Sequence, residues 1–274
     1  MDPVKIGRTC YGIGIIAYGL QQLVISDFRP QIVAAFPSWA HQYPVFALLT
    51  GVLMIVAGCI IAGFISLAKL PAKKVCLWLA GYFFVLLLAS HLPYLLFVYP
   101  HKLSHLGSWG DALKGLAFCG GAFVMAGSFP PAGHLFDEGS GWQPQAGLTA
   151  TLGRIFFCTT IILFGCNHFA YDLSGMVPKW IGHSVFWSYF AGTALVALGT
   201  AVLLRIFLLP AGVLLALMLF SWFLLVHIPG AVANPTVGRG NLVVSAFDAL
   251  LFSGTALVLS QSGHRQRLQA PVIL

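Results

Sequence analysis

The sequence predicts an all-α protein that crosses a lipid bilayer several times. Of its 274 residues, 59% are hydrophobic and only 8% are charged, whereas soluble domains carry about 25% charged residues. Eight apolar stretches are long enough to span the hydrocarbon core, which takes about 20 residues per helix. This pattern indicates a polytopic membrane protein. It excludes a soluble enzyme, a disordered chain, a secreted disulfide scaffold and a nucleic-acid-binding protein.

The predicted spans follow one another through short connections and one longer linker. They occupy residues 9–26, 44–67, 75–98, 109–128, 152–171, 184–204, 207–227 and 243–261. The first is interpreted as a retained helix, because Gln21 and Gln22 interrupt its end and no cleavage motif follows directly. Pro130 and Pro131 open a Gly-rich linker. The predicted domains are a first four-helix unit (1–129), a cytoplasmic linker (130–149), a second four-helix unit (150–262) and a cytoplasmic tail (263–274).

The basic residues predict the orientation, because short cytoplasmic loops are enriched in Lys and Arg. If the N-terminus is cytoplasmic, that side receives nine basic residues and the opposite side five. The nine are Lys5, Arg8, Lys69, Lys73, Lys74, Arg154, Arg205, Arg265 and Arg267, and the five are Arg29, Lys102, Lys114, Lys179 and Arg239. We therefore expect both termini to lie in the cytoplasm.

Rare residues recur in the same order on either side of the linker, which indicates a tandem duplication. The matches are Gly7-Arg8 with Gly153-Arg154, Gly19 with Gly165, Gln21-Gln22 with Asn167-His168, Asp27 with Asp172, Pro37-x-Trp39 with Pro178-x-Trp180, His91-Leu-Pro93 with His227-Ile-Pro229, and Ser108-x-x-Asp111 with Ser245-x-x-Asp248. Because each unit holds an even number of spans, the two copies are expected to be parallel repeats, related by an axis along the membrane normal.

Glycine pairs mark one helix of each predicted unit. Gly51 and Gly58 have the same spacing as Gly192 and Gly199, and this spacing places each pair two turns apart on one helix face. Small residues in this arrangement allow neighbouring helices to approach closely. We interpret these positions as packing contacts.

The candidate ligand-binding residues all fall towards the outer ends of the predicted spans. They are Gln21, Gln22, His91 and Asp111 in the first unit and Asn167, His168, His227 and Asp248 in the second. Ionisable groups inside a membrane are costly and point to function, and an Asp beside a His can fix the imidazole tautomer. His91 with Asp111 and His227 with Asp248 are the expected pairs. No catalytic residue and no metal site is predicted.

Structural alternatives remain open for the same residues. Ser-x-x-Asp is typical of a helix start, where the Ser caps and the acid meets the positive helix end. His-x-Pro is typical of a helix end, since Pro cannot continue the helix. Asp111 and Lys114 are three residues apart and can pair with each other. The six cysteines lie in or beside apolar stretches without a C-x-x-C motif, so we interpret them as small apolar residues.

The first helix of each unit resembles the DoxX family of small four-span membrane proteins. The resemblance depends on Arg8, Gly19, Leu20 and Gln21, although Gln22 replaces the family's Lys, and on Arg154 and Gly165 in the second unit. The glycine pairs resemble the family's second helix, whose acidic residue is absent here. The family's Ser-Leu-Asp signature closes the fourth helix, whereas Ser-x-x-Asp is predicted to open it in this chain.

The resemblance implies a protein of the bacterial inner membrane that is a membrane partner or quinone-facing subunit of a redox system. Quinone is the candidate cofactor, and the bilayer and a redox enzyme are the candidate partners. Whether the chain is itself an enzyme stays open, as do its substrate and oligomeric state. The alternative is a non-enzymatic carrier or ligand-binding membrane protein. A third hypothesis, a b-type cytochrome, requires opposed axial histidines, whereas His91, His168 and His227 are all predicted near one side.

Overall fold

The computed structural model of the chain describes residues 2–129 and 147–262, and most of these residues are helical. The first range contains α1 (Pro3–Ile25), the short α2 (Trp39–Gln42), α3 (Pro44–Ala62), α4 (Ala72–Leu86) and α5 (Gly110–Ser128). The second range contains α6 (Leu148–Ala170), α7 (Ser184–Leu204), α8 (Leu208–Trp222), the short α9 (Ile228–Ala233) and α10 (Asn241–Gln261). The all-α prediction is confirmed for these residues. The predicted linker, apart from its last three residues, and the tail lie outside them.

Six helical segments are long and apolar enough to cross a membrane, so the chain is a multi-pass membrane protein. They are Pro44–Ala62, Ala72–Val98, Leu148–Ala170, Ser184–Leu204, Leu208–Ala233 and Val237–Gln261. The remaining long helices, α1 and α5, span 23 and 19 residues but are not in this group. Most of α5 is buried within the bundle, where a helix is surrounded by protein and needs fewer apolar side chains than one facing lipid.

The long helices form a closed ring in which the predicted units are not separate bundles. Helix α1 packs between α3 and α10, and α5 packs between α4 and α6. Contacts between α3 and α4, α6 and α7, α7 and α8, and α8 and α10 complete the ring, and α5 also touches α10. The first long helix of each predicted unit therefore packs against the fourth long helix of the other.

Glycines allow several of these helices to approach until their backbones touch. A methyl group built on Gly19 would lie 2.5 Å from the carbonyl oxygen of Gly51 in the neighbouring helix, closer than van der Waals contact. The equivalent distance from Gly165 to the Gly192 oxygen is 2.9 Å. Close packing at these glycines is what their spacing predicts, and any larger side chain there would push the helices apart.

The interpretation of His-x-Pro as a helix end is wrong for both copies. The chain stays helical past His91 and Pro93 to Val98, and past His227 and Pro229 to Ala233. A π-helical turn precedes each proline, at Leu87–His91 and at Phe223–His227. Because Pro lacks an N–H group, the wider turn changes the hydrogen-bond register locally and lets the helix continue. Such turns are frequent at functional sites.

The expectation that Ser-x-x-Asp opens the fourth helix is met in the first unit, although the Ser does not cap the helix, and is wrong in the second unit. Ser108 lies in a 3-10 turn before α5, and the residue at the N-cap position is Trp109, without a side-chain capping bond. Ser245 lies within α10, which begins at Asn241. Asp111 is thus in the first turn of its helix while Asp248 is two turns into its own, so the two motifs occupy different depths.

Candidate functional site

The polar side chains converge at one end of the ring, where α1, α4, α6 and α8 end and α3, α5, α7 and α10 begin. We call this the polar end. Successive long helices run in opposite directions, so these helix ends all lie on the same side of the bundle. Three connections cover part of this end: residues 26–38 between α1 and α2, residues 99–109 between Val98, where the helical continuation of α4 ends, and α5, and residues 234–240 between α9 and α10.

A buried ion pair lies between α5 and α10. The Nζ atom of Lys114 is 2.8 Å from Oδ2 of Asp248, and both side chains are largely withdrawn from the surface. The hydroxyl of Tyr18, on α1, donates a hydrogen bond of 2.5 Å to Oδ1 of the same carboxylate. Lys114 therefore pairs with Asp248 and not with Asp111, the alternative that the spacing had left open. The charge of Asp248 is balanced by a residue from the other predicted unit.

A cleft of about 500 Å³ lies near this pair at the polar end. Its walls come from the α1–α2 connection, the end of the α4 segment, the start of α5 and the α9–α10 connection. Its polar lining includes Asp27, Arg29, His41, His91, Asp111 and Arg239. Apolar side chains such as Phe28, Val33 and Leu95 complete the walls, as expected for a site that binds a small molecule with both polar and apolar parts.

Arg29 is the most deeply buried cation of the cleft. It is 1% exposed, and its Nη1 and Nη2 groups donate to the carbonyl oxygen of Arg239 at 2.7 Å and to Oδ1 of Asn241 at 3.2 Å. Its Nε has no hydrogen-bond partner. Burial lowers the pKa of the Arg29 guanidinium from its ordinary value. A buried donor left without an acceptor costs free energy, so the position favours a ligand that accepts a hydrogen bond.

His91 is a second residue of the cleft lining with an unpaired nitrogen. It is 3% exposed, and its Nε2 has no hydrogen-bond partner. Asp111 is close enough to interact electrostatically with its ring. Nε2 can donate or accept a hydrogen bond, depending on the tautomer. The structure thus brings His91 and Asp111 to one cleft, as their matching depth suggested.

Asp27 ties the two connections together over the cleft. Its Oδ2 accepts from Nη1 of Arg239 at 2.9 Å, and its Oδ1 lies 2.8 Å from Nδ1 of His41. Burial acts against the charged form, but the hydrogen bonds from Arg239, His41 and the Phe28 backbone prevail and lower the Asp27 pKa below its ordinary value. This carboxylate therefore stays ionised at neutral pH and holds the connection at residues 26–38 onto the one at 234–240.

The other predicted ligand residues do not line the cleft. Gln21 donates to the carbonyl oxygen of Gly240 at 2.9 Å, and Gln22 donates to that of Ala47 at 3.2 Å. His168 lies 3.1 Å from the Ser188 hydroxyl. Asn167 has a buried Oδ1 without a partner. His227 interacts electrostatically with Asp248 and Lys114, and these three residues lie outside the lining of the cleft.

Sequence reasoning missed four polar residues of the cleft and two residues of the neighbouring ion-pair cluster. Asp27, Arg29, His41 and Arg239 lie in or beside connections, where charge is expected and gives no signal. Tyr18 lies in an apolar helix and has the sequence context of an ordinary core aromatic residue. Lys114 did carry a signal, because a cation inside a membrane helix needs a buried partner, but its partner could not be identified from local spacing.

Within residues 2–129 and 147–262, no group of three or more His, Cys, Asp or Glu side chains lies close enough together to hold a metal ion. Comparison of the chain with protein-family models, with curated proteins and with solved structures gives no match. The chemistry of the cleft is therefore the basis for assigning a function.

Proposed function

We propose that this membrane protein binds, in the cleft at its polar end, the head group of a small amphiphilic molecule that carries hydrogen-bond acceptors, with a quinone as the leading candidate. One observation carries the proposal: the buried nitrogens Arg29 Nε and His91 Nε2 both lack partners and belong to residues that line the same cleft. A carbonyl oxygen can accept from Arg29. His91 can donate to a quinone oxygen or accept from a quinol hydroxyl.

We further propose that the chain is a DoxX-like protein of the bacterial inner membrane, with cytoplasmic termini, that serves a redox system as its quinone-facing partner. This orientation puts the cleft on the outer side. The glycine contacts between α1 and α3 and between α6 and α7 support the resemblance, because they occur at the glycines that resemble the family's first and second helices.

The second candidate is a carrier or ligand-binding protein without redox function. The Asp27–Arg239 ion pair supports it, since this contact joins two connections above the cleft and its opening would give a ligand access. Both candidates use the same cleft. They differ in whether the bound molecule is exchanged across the membrane or keeps its place beside a redox enzyme.

The test is quinone binding by the purified full-length chain, with two histidine variants as a matched pair. Lipid-extracted wild-type protein is analysed for co-purified quinone and titrated with a short-chain benzoquinone. His91→Ala should weaken binding about tenfold or more, because leaving a buried polar group without its hydrogen-bond partner costs about 1–3 kcal/mol. His227→Ala alters a residue that ends a similar π-helical turn but lies outside the cleft, so it should bind like wild type.

Each outcome decides between the candidates. Wild-type protein that neither retains nor binds quinone would rule out the quinone assignment. Equal loss in both variants would show that the cleft is not the site. Loss of substrate uptake or efflux in proteoliposomes on His91→Ala, without quinone binding, would favour the carrier.

A further inference from the structure

The first helix of each half contacts the fourth helix of the other half, α1 with α10 and α6 with α5, and the two interfaces contain matching contacts. A methyl group on Gly7 of α1 would lie 2.6 Å from the Gly254 oxygen of α10, and one on Gly153 of α6 would lie 2.7 Å from the Gly120 oxygen of α5. Matching these two contacts aligns Gly7 with Gly153 and Gly120 with Gly254. The first alignment sets a register between α1 and α6, and the second sets one between α5 and α10.

Aromatic contacts follow the same register. Tyr18 meets Phe118 with ring centroids 5.0 Å apart. Their counterparts in the two alignments are Phe164 and Phe252, whose centroids are 6.4 Å apart. Tyr11 donates its hydroxyl to the carbonyl oxygen of Phe118. Phe157, the counterpart of Tyr11, packs edge-on against Phe252, so a second pair of contacts agrees with the register.

The neighbouring helices α4 and α8 also match. The Cys119 thiol donates to the Ala80 oxygen at 3.3 Å, and the Ser253 hydroxyl donates to the Ala216 oxygen at 2.8 Å. Cys119 and Ser253 are counterparts in the register of α5 and α10, so these bonds align Ala80 with Ala216. Continued along the chain without a gap, that alignment superposes the π-helical turn Leu87–His91 on the turn Phe223–His227.

Where α5 meets α10, residues face their own counterparts. Phe118 and Phe252 lie 6.0 Å apart between ring centroids. A methyl group on Gly121 would lie 3.0 Å from Oγ1 of Thr255, which is its counterpart in the register. Lys114 and Asp248 are counterparts too, and they form the buried ion pair. Contacts between equivalent residues are the mark of a two-fold axis.

We propose that the halves are related by a pseudo-two-fold axis between α5 and α10, and that Lys114 and Asp248 are equivalent positions whose divergence into opposite charges makes the halves non-interchangeable. Two lysines or two aspartates here would repel each other in a buried site. Tyr18 and its counterpart Phe164 differ in the same way. The Tyr18 hydroxyl donates a hydrogen bond to the Asp248 carboxylate, whereas Phe164 has no hydroxyl to bond to the ammonium group of Lys114.

This register differs by about one helical turn from the one suggested by the Ser-x-x-Asp motifs, which would align Asp111 with Asp248. In the proposed register the counterpart of Asp111 is Ser245. The second half therefore lacks the carboxylate that accompanies His91 in the cleft. The inference rests on helix contacts and does not depend on what the cleft binds.

The test exchanges the two sides of the axis in the full-length chain and measures melting in detergent. Lys114→Asp and Asp248→Lys each place like charges together and should lower the melting temperature by roughly 10 °C or more. The double exchange Lys114→Asp/Asp248→Lys should recover part of this. Adding Tyr18→Phe and Phe164→Tyr should return the protein to within about 3 °C of wild type, because the hydroxyl then follows the carboxylate.

A fourfold variant no more stable than the double exchange would overturn the proposed equivalence. Phe164→Tyr alone keeps the test decisive if the exchanged variants do not fold. If the two halves are equivalent, the new hydroxyl lies beside Lys114 and accepts a hydrogen bond from its ammonium group, so the melting temperature should stay near that of wild type. A loss typical of a buried unpaired hydroxyl would contradict the axis. Neither result depends on quinone binding, so this inference can fail while the proposed function stands.

Discussion

Replacing Tyr18 with Phe should destabilise the protein about twice as much as replacing Tyr11 with Phe. Both tyrosines lie on α1 and are fully buried, and each substitution removes only a hydroxyl. The Tyr11 hydroxyl donates to a neutral acceptor, the carbonyl oxygen of Phe118, at 2.7 Å. The Tyr18 hydroxyl donates to the carboxylate of Asp248, which also pairs with the ammonium group of Lys114. The comparison of Tyr18→Phe with Tyr11→Phe therefore measures how much a charged acceptor, in place of a neutral one, adds to the stability that the hydrogen bond contributes.

The expected magnitudes follow from the two acceptors. A neutral hydrogen bond contributes about 1 kcal/mol to stability, and one to a charged group about 2 kcal/mol. Tyr18→Phe also leaves a buried carboxylate with one fewer partner. We therefore expect losses of about 2 kcal/mol for Tyr18→Phe and about 1 kcal/mol for Tyr11→Phe, measured by reversible unfolding in mixed micelles.

A second background tests the reasoning further. In an Asp248→Asn chain the acceptor is neutral, so the cost of Tyr18→Phe should fall to that of Tyr11→Phe, and a double-mutant cycle measures the difference. Equal losses for the two tyrosines in the wild-type background would refute the argument. They would mean that Asp248 is uncharged or that the charge of its carboxylate adds nothing to the bond.

Two other predictions concern packing and pH. Gly19→Leu should disrupt folding or lower the free energy of unfolding by at least about 3 kcal/mol, because the new side chain would collide with the Gly51 backbone. Gly81→Leu is the control, because Gly81 lies on the exposed face of α4 with free space around it, and this variant should unfold like wild type. Comparable losses of stability in the two variants would contradict the close packing at Gly19. Because the Asp27 pKa is lowered, its ion pairs stabilise the fold above about pH 4 and are lost as the pH falls through the lowered value. Protection of residues 26–38 from hydrogen exchange, corrected for intrinsic rates, should therefore be constant from about pH 7 to 5 and decline in more acidic solution, with the decline blunted in Arg239→Ala. Protection that does not change with acid would exclude this role for Asp27.

The positions of the long helices could be predicted closely from the sequence, because a bilayer imposes the length and polarity of each span. The segment predicted at 184–204 coincides with α7, and the one at 44–67 differs from α3 mainly at its end. The glycine contacts were also predictable, since spacing along a single helix determines which residues share a face.

Contacts between distant helices were not predictable in the same way. Lys114 has Asp111 in the preceding turn of its own helix, and local spacing alone favours that partner over Asp248 in the other predicted unit. The π-helical turns that carry the chain past Pro93 and Pro229 leave no trace in hydropathy. Arg29 lies in a connection, where a basic residue is ordinary, and only the packing of the α9–α10 connection against it reveals its burial.

The asymmetry across the proposed axis explains why the cleft takes most of its ionisable residues from one half. Charged groups buried in a membrane protein are tolerated only when they are paired, so a carboxylate gained on one side of the axis requires a cation on the other. Asp248 and Lys114 satisfy this requirement, and their charges cancel. Asp111 has Ser245 as its counterpart and needs a separate balance, which Arg29, close enough to interact with it electrostatically, supplies from the adjacent connection. The unpaired Nε of Arg29 and the unpaired Nε2 of His91 belong to residues that line one cleft, whereas His227, the counterpart of His91, lies outside it. The cleft is therefore lined by two residues that can donate to a ligand with hydrogen-bond acceptors.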